Sequence, residues 1–211
     1  MDEFWRGQHK VFPEDPKART DLNAGTLYAI WGTGDWIYYG QVAGDKSVGF
    51  FARRDREIAG SAAVFDSSIM SRVTVAFPSV GRALRAGAWK KLGKYPLRRE
   101  LAGDRPVVQW PVGSLEVTVW TGRVQRLTTR VEDPSIQDLE VIAAWDAIAH
   151  IPDRLLMDHA PNEASSTVKN AWSIGGPVWR QRRVKEELAR RFPDNPAHRL
   201  PADWVPVRRM V

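Results

Sequence analysis

Apolar residues fall along this chain in two rhythms. As far as Thr128 they come in short runs or alternate with polar positions, and from Asp133 onward they recur at three- and four-residue spacing. The first rhythm predicts strands and the second predicts helices. The clearest signal lies between Gly25 and Val42. Leu27 to Trp31 and Trp36 to Val42 are apolar and aromatic runs joined by Gly32-Thr33-Gly34-Asp35, which reads as a β-hairpin. Gly44-Asp45 signals a second turn before a strand over Ser47 to Ala52, ended in solvent by Arg53 to Glu57. Arg72 to Phe77 alternates cleanly, with Val73, Val75 and Phe77 on one face and Pro78 as its stop. A helix with Ser79 at its N-cap is predicted over Ser79 to Trp89, followed by a basic loop from Leu92 to Leu101. Val107 to Trp110, Ser114 to Trp120 and Arg123 to Thr128 read as further strands. Helices are predicted over Asp138 to Ala149, Pro152 to Asp158, Glu163 to Trp172 and Val178 to Phe192. In the last of these Val184, Leu188 and Phe192 face inward, and Arg180, Arg182, Arg183, Lys185, Arg190 and Arg191 face mostly outward. Met1 to Asn23 reads as loosely held, and the proline-bearing tail as extended.

Strands first and helices second predict an α+β fold, mainly antiparallel β-sheet in the N-terminal two-thirds with helices in the C-terminal third. The expected organisation is an N-terminal extension over 1–24, an α+β domain over 25–160, and a basic helical extension over 161–211 packed on it. A chain of 211 residues with 43% hydrophobic content holds enough apolar material for a core without staples. The absence of cysteine excludes disulfides and thiolate metal sites, and fits a reducing compartment. No signal peptide and no apolar stretch of about 20 residues is visible, so a cytoplasmic protein without membrane partners is expected. Ten tryptophans is a high count, and most are expected in the core.

The net charge of +6 conceals a pattern. Arg82 to Arg105 carries eight basic and two acidic residues, Glu132 to Glu163 carries eight acidic residues against Arg154, and Lys169 to Val211 carries ten basic and four acidic. Alternating blocks suit a surface with oppositely charged patches better than a uniform nucleic-acid contact face. The acidic belt could cover a basic groove such as that of a nuclease, with Asp138, Glu140, Asp146, Asp153 and Asp158 as candidate contacts and Trp36 and Tyr38 as aromatic anchors. The plainer reading is that these acids cap helices. Nucleic-acid binding through Arg53, Arg54, Arg182 and Arg183 is the alternative, set against their reading as solvated surface beside Asp55, Glu57, Glu186 and Glu187.

Catalytic signals are sparse. No Gly-x-Ser-x-Gly, P-loop, dinucleotide fingerprint or His-Glu-x-x-His element occurs. Asp146 and His150 would share one face of the predicted helix, with His159 beyond them; such spacing is common on solvated helices, and an enzyme built on these three is the third reading. No catalytic residue, metal or cofactor is expected.

The order of elements resembles immunity protein family 26 of bacterial polymorphic toxin systems. The likeness runs through Gly25-Thr26-Leu27-Tyr28-Ala29-Ile30, Tyr39-Gly40-Gln41-Val42, Val73-Thr74-Val75, and Ala83-Leu84 with Gly87 and Trp89. It continues in Leu92-Gly93 with Pro96-Leu97, and in Trp145-Asp146 followed by Asp153-Arg154-Leu155 and His159, so that it spans about Gly25 to Ala160. The resemblance implies a non-enzymatic protein that binds a cognate toxin domain in the cytosol and neutralises it by occlusion.

Overall fold

The computed structural model describes residues 12–167 and 176–207. It is an α+β fold whose contacts divide into two units: Met1–Gly103 with Ala144–Val168, and Asp104–Ala143 with Lys169–Val211. This division cuts across the expected 25–160 domain, because the strands after Gly103 share a core with the C-terminal helix and not with the N-terminal strands.

The first unit is built on a six-stranded sheet. Its strands are β1 (Thr26–Gly32), β2 (Trp36–Val42), β3 (Val48–Asp55), β4 (Ile69–Val75), β5 (Trp89–Lys94) and β10 (Ala144–Trp145), in the order β10-β4-β3-β2-β1-β5. All neighbours are antiparallel except β10, which runs parallel to β4. The predicted hairpin is present, with Gly32 opposite Trp36, and its turn needs positive φ at Gly34 (72°) and Asp35 (60°). A strand with one wet face alternates, yet Leu27 to Ile30 and Ile37 to Tyr39 are buried without interruption, because this sheet is covered on both faces. On one face Leu27, Ala29, Ile37, Tyr39 and Phe51 pack with Phe12 and with Val64 of α1 (Ser61–Phe65). On the other, Tyr28 packs its ring 5.4 Å from Trp89, whose indole N–H donates to the carbonyl of Ala147 at 3.1 Å. Helices α2 (Phe77–Arg85), α3 (Ile151–His159) and α4 (Pro161–Thr167) complete the unit.

Three local expectations shift. Pro78 sits in the first turn of α2, where its missing N–H costs nothing, and Ser79 lies inside that helix. Residues 89–94 of the expected loop form β5, paired with β1. The helix expected over Asp138 to Ala149 is absent. Its place is taken by β9 (Glu140–Val141), β10 and a turn in which the Asp146 carboxylate accepts from the amides of Ile148 and Ala149, both at 2.9 Å. The expected helix over Glu163 to Trp172 is seen as α4 as far as Thr167; its remainder lies outside the described residues.

The second unit carries a four-stranded sheet in the order β8-β7-β6-β9, with β6 (Pro106–Gln109), β7 (Glu116–Thr121) and β8 (Val124–Arg130) antiparallel and β9 parallel to β6. Its core is aliphatic: Val108, Val117, Val119, Val131, Ile136 and Val178, the last from α5 (Val178–Arg191). Here one face does alternate, and the strands read as a half-buried sheet should. Arg182, expected outside, is buried. Its guanidinium donates to Gln137 Oε1 at 3.1 Å and to the carbonyl of Val205 at 2.6 Å, and lies over the Trp204 ring.

Candidate functional site

Two places bring functional groups together, and they differ in kind. The first is a polar corner of the six-stranded sheet, at the turn end of the β1–β2 hairpin. The register sets Tyr38 opposite Arg54, Trp36 lies two residues before Tyr38 on the same face, and Arg56 just beyond β3 reaches over the Trp36 ring. The end of α3 and the start of α4 meet that face, placing the His159 ring 6.0 Å edge-on from Tyr38 and bringing Glu163 to Arg54. Gly32 is required because a Cβ there would run into the Tyr38 ring. Arg54 donates twice to Glu163, at 2.9 and 2.7 Å, and its guanidinium carbon stands 4.2 Å from the centre of the Trp36 ring; that of Arg56 stands 3.7 Å away. This is bidentate ion pairing combined with cation–π stacking.

The electrostatics of the corner follow from burial. Desolvation pushes the Tyr38 hydroxyl above the usual tyrosine range, with the adjacent Arg54 guanidinium working against it. Desolvation and then Arg54 hold His159 below its ordinary 6.5, against the opposing pull of Glu163. The Arg54 hydrogen bonds keep Glu163 below the usual glutamate range.

The second place is the surface of the four-stranded sheet. Strand β8 pairs with β7 alone among the described strands, and every one of its residues except Thr129 is exposed. Val124 and Leu127 stand 50% and 42% exposed, beside the exposed Arg123 and Arg126. An unpaired strand edge with apolar side chains is a template for another chain.

The acidic candidates do not form one belt. Asp138, exposed, and Glu140 belong to the second unit, and Asp146, Asp153 and Asp158 to the first. Asp146 pairs with Arg82; burial alone would raise its carboxyl, but the Ala149 and Ile148 amides and Arg82 hold it below the usual range. Asp153 accepts from Thr33 at 3.2 Å. Asp158 is an interior group: it pairs with Arg154 at 2.6 Å, their side chains 6% and 1% exposed, with the guanidinium over Trp145. Of the two aromatic anchors, Trp36 is half-buried beneath arginines and Tyr38 is fully buried, so Tyr38 offers no outer surface. Of the basic candidates, Arg53 is tied to Asp55, Arg54 to Glu163, Arg182 is interior, and Arg183 alone is exposed.

Asp146 and His150 do approach, but in a turn instead of on a helix. His150 Nδ1 accepts the Asp146 backbone N–H at 3.1 Å, while His159 sits in the Tyr38 corner. Among the described residues no group of three or more histidine, aspartate or glutamate side chains is arranged to hold a metal, and no helix is long and apolar enough to cross a membrane. Only Trp89 and Trp145 of the described tryptophans are buried outright, fewer than expected, because most of these rings serve as platforms for cations: Trp36, Trp110 and Trp179 carry Arg54 and Arg56, Lys185, and Arg180 in turn.

Sequence reasoning passed over the β8 edge. The available signal was that Val124 to Arg130 alternates poorly, as a strand exposed on both sides does. Comparison with family models, with characterised proteins and with solved structures returned no match.

Proposed function

We propose that this chain is an immunity protein that binds a cognate bacterial toxin domain in the cytosol and neutralises it by occlusion, without catalysing a reaction. The observation that carries the binding role is where apolar surface is left open. Of the eight large hydrophobic side chains that stand exposed among the described residues, Val112, Val124, Leu127, Ile142, Phe192 and Val205 lie in the second unit, and Ile58 and Phe77 in the first. Scattered exposed apolar residues are ordinary, but Val124 and Leu127 flank an unpaired strand edge, which supports reading that edge as a contact surface. The toxin as partner rests on the resemblance of Gly25 to Ala160. A basic nuclease is one fit, through Asp138 and Glu140, and the arginines of β8 equally suit an acidic segment.

The test is coexpression of the chain with the toxin domain encoded beside it. Restored growth and a nanomolar complex whose association slows with added salt are expected. Absence of a complex at micromolar concentration, or a steeply salt-dependent affinity for DNA or RNA in its place, overturns the reading.

A further inference from the structure

The hairpin corner of the first unit holds two buried polar atoms that have no hydrogen-bond partner among the described residues: the Tyr38 hydroxyl and His159 Nδ1. An unpaired buried polar group costs about 1–3 kcal/mol, so two on neighbouring rings call for a physical reason. Beside them the Arg54 fork already grips a carboxylate, that of Glu163. The two partners differ in access. The Arg54 side chain is 14% exposed and lies over Trp36, whereas the Glu163 side chain is 53% exposed. The cation is therefore part of the floor, and the carboxylate is the member that can leave. A planar guanidinium fork, a phenol O–H and an imidazole N–H make a donor set matched to a carboxylate, which accepts about four hydrogen bonds.

We propose that this corner is a binding site for a carboxylate group, occupied by Glu163 as an internal ligand that an incoming carboxylate replaces. The incoming group takes the two Arg54 donors. Unconstrained by the backbone of α4, it can sit deeper, accepting from the Tyr38 hydroxyl and from His159 as its Nδ1–H tautomer. The carboxylate comes either from a free small acid or from an acidic side chain of a protein. The site stands whether or not the partner is a toxin.

The test titrates the full ¹⁵N-labelled chain with sodium acetate or with acetyl-glutamate-amide, using sodium chloride at equal ionic strength as reference, and reads the Arg54 Nε–H and Trp36 indole N–H signals. Glu163→Gln, which keeps the side chain's shape, removes the competing charge and is expected to tighten binding by about tenfold over wild type. Tyr38→Phe added to it weakens binding several-fold. Equal affinity for the two probes assigns the site to free acids, and tighter binding of the blocked glutamate assigns it to a protein side chain. Shifts in wild type and in Glu163→Gln that never exceed those of chloride overturn the proposal. So does saturable binding that neither Tyr38→Phe nor Arg54→Lys alters.

Discussion

The two units solve the same problem of covering a sheet, and solve it unequally. In the first, both faces are closed by aromatic and aliphatic side chains, and its buried arginine, Arg154, is neutralised by Asp158. In the second, a shell of valines and one isoleucine closes one face, β8 is left open, and the buried arginine, Arg182, is held by an amide oxygen, a backbone carbonyl and an indole ring in place of a carboxylate. Among the described residues the first unit leaves two large apolar side chains exposed, Ile58 and Phe77, and the second leaves six, two of them on the β8 edge. That contrast supports a scaffold in one and a contact surface in the other.

Removing packing from the closed unit tests the contrast most severely. Trp89→Ala is expected to cost about 3–5 kcal/mol in urea unfolding, whereas Val119→Ala in the open unit costs about 1–3 kcal/mol. Equal costs would erase the distinction between the two cores. Arg154→Met breaks the buried pair with Asp158 and should cost about 3–5 kcal/mol, most of it recovered in the Arg154→Met/Asp158→Leu double variant. A double variant as unstable as the single would show that the pair is not what the arginine serves. Arg182→Met leaves the Val205 carbonyl and Gln137 without their donor but strands no charge, so a smaller loss, about 1–3 kcal/mol, is expected by the same assay.

A gentler effect comes from pH. His159 is held below its ordinary 6.5, so the unfolded chain takes up its proton first as pH falls. In that window the unfolded state binds more protons, and stability declines from about pH 6.5 downward. Thermal unfolding of His159→Gln should lack this early decline. Glu163 and Asp146, both held below their ordinary 4.5 and 3.8, contribute stability that is lost only as pH falls through their lower folded values, and that later loss of the Asp146 share persists in the variant.

What could be read from the sequence was local. The β1–β2 hairpin is written in two aromatic runs and a glycine turn, and α5 in its period. What failed was non-local. Leu139 and Ile142 have helical spacing, but β9 pairs with β6 and β10 with β4, each across tens of residues, and those pairings outweigh propensity in the segment where the chain passes from one unit to the other. Trp36 and the arginines over it were separately visible, yet their meeting depends on the register of β2 against β3, which shifts at an irregularity between Tyr38 and Gly40. The burial of Arg182 depends on a tail segment 23 residues further on.

The proposed function requires contact through the second unit, and hydrogen exchange of the full chain with and without the toxin domain proposed as its partner tests this most directly. Unbound, the amides of β8 should exchange faster than those of the central strand β2, and binding should slow them from Val124 to Arg130. A tight complex that leaves β8 exchanging as before would contradict the account.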